Sequence, residues 1–132
     1  MATVDDVAAI AGRFPDVTVG STYGNQAWTV GGKAFAWVRP FSKADLKRFG
    51  PETPPEGPIV AVKVEDLADK EAVLQAHAAS CFTIAHFDSF PAVLVNVPDA
   101  TVDELEELLE DGWLACASKQ LVATYLADHR DD

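Results

Sequence analysis

A chain of 132 residues, 48% hydrophobic and 23% charged, has the length of one ordinary domain and buries a core without help from disulfides or metal. Its net charge of −11 disfavours non-specific attraction to nucleic acid or to an anionic membrane. No apolar run approaches the ~20 residues that cross a bilayer, and the start, Met1-Ala-Thr-Val-Asp-Asp, lacks the basic and hydrophobic regions of a signal peptide, so the expectation is a cytoplasmic protein with no membrane partner.

Thr3 to Arg13 reads as a helix. Thr3 is a suitable N-cap, Asp5 and Asp6 lie in the first turn, and Val4, Val7, Ala8, Ile10 and Ala11 form an apolar stripe. Val17 to Tyr23 and Gln26 to Val30 are short strands around Gly24-Asn25. Gly31-Gly32 then separates the second strand from a third, Lys33 to Arg39, which is a strong hairpin signal. Simple alternation places Phe35 and Trp37 on one face of that third strand, with Ala34, Ala36 and Val38 on the other. Pro40 ends it, and Ser42 is placed to cap a short basic helix, Lys43 to Phe49. Residues 50–58 hold four of the eight prolines and read as a stiff surface loop. Ile59 to Val64 is a fourth strand, and Asp66 caps a helix running to about Ala79.

The most apolar and β-prone stretch is Cys81 to Val97. It reads as two strands meeting at a turn near Asp88-Ser89. Val93, Val95 and Val97 share one face and Leu94 and Asn96 the other; Pro91 belongs at the first residue of the second strand. Thr101 and Glu104 form a capping box, and the helix they open carries Leu105, Leu108, Leu109 and Trp113. Ser118 is placed to cap a last helix with Leu121, Val122, Tyr125 and Leu126, and the charged tail 128–132 is expected to fray. Runs of neighbouring strands predict an α+β fold over residues 1–132 as a single domain, an antiparallel sheet with helices packed on one face.

Charge is unevenly spread. Lys33, Arg39, Lys43, Lys47 and Arg48 are half of all basic residues, so residues 33–48 carry +4 and the remainder −15. They form either a phosphate-contacting patch or a solvated basic face. Asp99 to Asp111 holds seven acids and no base: a solvated helix face, or a surface for a basic partner. Tyr23, Trp28, Phe35 and Trp37 lie on neighbouring strands and serve either as core or as a stacking surface for bases or a ligand. His86, Asp88 and Ser89 are the polar centre of the stretch 81–97. They lack the third member of a triad or metal site, and no G-x-S-x-G or H-E-x-x-H motif occurs. No catalytic residue is therefore expected; His86 and Asp88 belong to a structural turn or to a surface that meets a ligand or partner. Cys81 and Cys116 have no metal-ligand spacing and read as buried, reduced thiols, so no metal and no cofactor are expected.

The segment Ser21-Thr-Tyr-Gly-Asn-Gln-Ala-Trp28 followed by Gly31-Gly32-Lys33-Ala-Phe35 resembles the first signature of the MmcQ/YjbR family. Gly57-Pro58 before a strand and Phe82 to Val95 resemble its second, and Trp113 with Leu121, Val122 and Tyr125 its C-terminal pattern. The resemblance implies a small α+β domain, with a fold likened to secretion chaperones and to a double-wing DNA-binding motif. It implies a non-enzymatic binding module that touches DNA through the basic stretch and a hairpin wing, or else a protein-interaction or chaperone-like module that binds no nucleic acid. It offers no catalytic residues. With so acidic a chain, any DNA contact is expected to be weak and non-specific, no tighter than about 10 μM at physiological salt.

Overall fold

The computed structural model describes residues 2–22, 24–51, 53–55 and 57–129. Tyr23 and the last three residues of the tail lie outside them; Asp128 and His129, expected to fray, are the last residues of a helix.

In chain order the elements are α1 (Val4–Ala11), β1 (Val17–Thr22), β2 (Asn25–Val30), β3 (Lys33–Val38), α2 (Lys43–Phe49), β4 (Ile59–Lys63), α3 (Leu67–Ala76), β5 (Cys81–Phe82), β6 (Ala92–Asn96), α4 (Val102–Cys116) and α5 (Lys119–His129). Short 3-10 turns span Ala85–Phe87 and Val97–Asp99. Thr3, Ser42 and Thr101 cap their helices in full capping boxes with Asp6, Asp45 and Glu104, and the Ser118 hydroxyl accepts from the Leu121 amide. Gly31 and Gly32 both have positive φ, 59° and 80°, as a tight two-residue hairpin turn requires.

The six strands form one sheet in the order β1-β2-β3-β4-β6-β5, antiparallel throughout. Helices α1, α4 and α5 cover one face, where Trp28, Val30, Phe35, Val60, Val62, Val93 and Val95 meet Val7, Leu105, Leu109, Trp113 and Tyr125. This is the expected α+β arrangement. The opposite face holds a smaller cluster of Ile59, Ala61, Phe87, Ala92 and Leu94, with Trp37, Phe41, Phe82 and Ile84 packed against it. The short helix α2 serves this second cluster, its Phe49 ring edge-on to Phe41 at 5.2 Å.

Two expectations are corrected. Phe35 and Trp37 do not share a face. Trp28 pairs with Ala36 and Thr29 with Ala34, so Phe35 is an extra residue without a partner on β2. Such a bulge shifts the alternation by one residue. Phe35 and Ala36 both enter the helix-side core, and Trp37 joins the second cluster. The stretch 81–97 is also not two full strands. β5 pairs with β6 only at Cys81↔Val95 and Phe82↔Leu94. The chain then coils into the 3-10 turn, because Phe87 drops its ring into the second cluster instead of extending the ladder.

Candidate functional site

The β3–β4 ladder stops at Ala36 and Val62. Beyond it lies a cavity of about 530 Å³, lined mostly from the second face and also by Ala34 and by Cys116 at the end of α4. Strands β3 and β4 supply Lys33, Trp37 and Lys63, Arg39 follows the end of β3, and segment 86–90 supplies His86, Phe87 and Phe90. Strand alternation explains the set. Lys63 follows Ile59 and Ala61 on the second face, and the bulge at Phe35 turns Trp37 and Arg39 the same way. Three rings form the wall: Phe87 and Phe90 stand edge to face at 5.6 Å, and Trp37 lies 6.5 and 6.4 Å from them.

The cations differ in how they are engaged. Arg39 ion-pairs with buried Asp45 at 3.1 Å and places its guanidinium 5.5 Å from the centre of the Phe87 ring. Burial alone would raise the Asp45 pKa, but hydrogen bonds from Ser42 and the charge of Arg39 together hold it below the ordinary value. This pair ties α2 to the end of β3. The Lys63 ammonium sits 4.7 Å from the centre of the Phe90 ring. Among the described residues, neither Lys63 nor Lys33 has an ion-pair partner, and no carboxylate lines the cavity.

The wall is fixed from behind by Lys70 on α3. Its buried ammonium donates to the carbonyl oxygens of Phe87 and Phe90, the second at 2.9 Å. Burial lowers the Lys70 pKa, and Asp88 partly restores it.

Of the residues singled out from sequence, the cavity gathers Lys33, Trp37, Arg39 and His86. Lys43, Lys47 and Arg48 are exposed on α2, outside it. Trp28 is fully buried in the helix-side core and presents no surface. Asp88 is exposed and does not line the cavity. Sequence reading missed Lys63, Lys70, Phe87 and Phe90. Alternation from Ile59 reaches Lys63; Phe87 and Phe90 come together only through the 3-10 turn, which has no sequence mark.

A second polar cluster lies elsewhere. Glu104 accepts from Ser80 at 3.3 Å and pairs with Nδ1 of His77 at 2.9 Å, and the Ser80 hydroxyl lies 3.8 Å from the Cys81 sulfur. The Cys81 thiol is pushed up to about 11, chiefly by burial. Among the described residues no three His, Cys, Asp or Glu side chains are grouped to hold a metal, and no helix is long and apolar enough to cross a membrane.

Comparisons with known proteins agree with the architecture. The family model described as YjbR matches residues 12–115. An uncharacterized protein of Mycobacterium bovis and one of Mycobacterium tuberculosis are each 44% identical over 131 residues, covering 97% of this chain and 98% of theirs. A crystal structure of a Deinococcus radiodurans protein with a DUF419 domain superposes with a TM-score of 0.63 at 19% identity, over 97% of this chain and 88% of that one. At that identity the likeness concerns the fold. The span of the family match and the identity to the mycobacterial proteins place this chain in the YjbR family.

Proposed function

We propose that this chain is a non-enzymatic, cytoplasmic binding module that contacts nucleic acid weakly and without sequence preference. The contact surface is the exposed basic side of α2, with Lys43, Lys47 and Arg48, together with Lys33 at the β2–β3 hairpin. The observation that supports this reading is the separation of charge across the sheet. The acidic helix α4 packs on the first face with its carboxylates outside the cavity, which Lys33, Arg39 and Lys63 line together with Cys116 at the end of that helix. Solvent-exposed charges more than ~8 Å apart are largely screened at physiological salt. A polyanion at the second face therefore meets local cations with the α4 carboxylates largely screened. Two buried free cysteines suit a reducing compartment.

The test is a titration of labelled duplex DNA at 0.05 and 0.15 M salt. Each neutralised phosphate steepens the dependence of log K on log salt by ~0.9. With so few exposed cations we expect a slope no steeper than about −4 and a Kd no tighter than about 10 μM at the higher salt. Lys47→Glu with Arg48→Glu is the variant of choice, because Arg39→Glu would set a second carboxylate against buried Asp45. Binding that survives the double variant refutes the contact surface. No binding even at 0.05 M salt removes the nucleic-acid reading and leaves a protein-interaction module.

A further inference from the structure

We infer that the cavity between strands β3 and β4 and segment 86–90 is a binding site for a planar aromatic ring carrying a phosphate, the chemistry of a mononucleotide. This inference uses the second face but does not depend on duplex binding, since a base-paired strand cannot offer a free ring to the cavity.

The ring requirement comes from the wall. Trp37 is half-buried, and Phe90 is 42% exposed although it belongs to an aromatic trio. A large apolar ring exposed to water beside two other rings offers a surface on which a further ring can stack. The anion requirement comes from Lys33 and Lys63, which are unpaired among the described residues and bring two positive charges. Arg39, already neutralised by Asp45, contributes its ring contact with Phe87 more than free charge. Two ammonium groups suit a phosphate dianion better than a monoanionic carboxylate, and lysine binds phosphate as a point charge. The volume, about 530 Å³, falls in the range of small-molecule sites. The wall is also held in place, because Lys70 pins the carbonyls of Phe87 and Phe90. Lys63 over the Phe90 ring occupies the place a ligand ring would share, so binding moves its ammonium from the ring to the phosphate.

The experiment titrates the full chain at 0.05 M salt with adenosine 5′-monophosphate, adenosine and inorganic phosphate. Heat and tryptophan fluorescence are the readouts. Trp28 and Trp113 are fully buried, so a fluorescence change reports Trp37 and vanishes in Trp37→Phe. We expect the mononucleotide to bind at least about tenfold more tightly than either half of it. Lys63→Met, which keeps the apolar stem, should weaken it by about tenfold, and Arg13→Met, an exposed cation outside the cavity and outside the α2 surface, should leave it unchanged. Unchanged melting curves for both variants exclude unfolding as the cause. Competition with single-stranded oligothymidylate separates the sources: displacement marks an unpaired nucleotide of a strand, and no displacement marks a free mononucleotide. Both agree with the site. Equal binding of mononucleotide and inorganic phosphate, or a mononucleotide affinity untouched by Lys63→Met, overturns it. Failure of duplex binding leaves this result standing, so the two readings fail separately.

Discussion

Gly112 lies so close to Phe35 that a methyl group on it would stand 3.1 Å from the Phe35 carbonyl oxygen, with Val62 Cγ1 at 3.0 Å and the Lys63 carbonyl oxygen at 3.3 Å. Helix α4 thus touches the sheet where β3 carries its extra residue. Two of the three neighbours are backbone atoms and do not rotate away. Gly112→Ala is expected to destabilise by about 1–3 kcal/mol despite alanine's better helix propensity. Urea unfolding checks it, and a rise in midpoint would mean that α4 stands further from the sheet.

Trp113, one residue on, anchors the same helix. It is fully buried, stacks on Phe14 at 5.9 Å, meets Tyr125 at 4.9 Å and donates from Nε1 to the Pro15 carbonyl at 3.0 Å. Trp113→Ala should cost about 3–5 kcal/mol, as large aromatic truncations do. Trp113→Phe keeps the stacking and loses the hydrogen bond, so its loss should be smaller. Equal losses for the two would show that the hydrogen bond, and not ring packing, holds the C-terminal helices.

Much of this architecture was legible in the chain. The N-caps Thr3 and Ser42, the Thr101–Glu104 capping box, the Gly31-Gly32 hairpin and the Val93, Val95 and Val97 face follow from local chemistry, because each depends on residues a few positions apart. The site was less legible. Nothing in Lys33-Ala-Phe-Ala-Trp-Val38 marks Phe35 as the extra residue; the bulge is a property of the pairing with β2. Without it, Trp37 is assigned to the wrong face and the cavity has no floor. Lys70, 17 residues before Phe87 in sequence, is tied to it by the tertiary fold alone.

Acid should weaken the fold through two carboxylates. Glu104 is held below its ordinary 4.5, first by the hydrogen bond with His77 and then by the Thr101 amide. Asp45 is held below 3.8 by Ser42 and Arg39 against the effect of burial. A folded pKa below the unfolded one contributes stability that is full above the unfolded value and is lost as pH falls through the folded one. The urea midpoint should hold from neutrality to about pH 5 and drop below about pH 4. Asp45→Asn should lower it at pH 7 and flatten the acid limb. Asp111 has the opposite sign: burial first, then Asp69, Glu107 and Glu110, raise its pKa. Asp111→Asn should therefore stabilise at pH 7, with a gain that shrinks as the parent's carboxyl becomes protonated. A gain that grows in acid would contradict this.

Lys70 offers the sharpest separation of local from global effects. The residue is 5% exposed, and its ammonium spends two donors on the carbonyls of Phe87 and Phe90. Those carbonyls also accept from the amides of Phe90 and Ala92, at 3.0 and 2.8 Å, so neither is orphaned when the lysine is removed. Lys70→Met relieves a buried charge and keeps the packed stem, which offsets part of the lost charge-assisted bonding. A net loss of about 1–2 kcal/mol is expected. The local consequence should be larger than that figure suggests. Without the ammonium, the turn that aims Phe87 and Phe90 keeps its short-range backbone bonds and ring packing but loses its tie to α3, and its amides should exchange hydrogen faster than those of β6. Hydrogen exchange measured over 85–91 against 92–96 in parent and variant decides the matter. Equal acceleration in both segments would mean that Lys70 stabilises the whole fold and has no particular hold on the cavity wall.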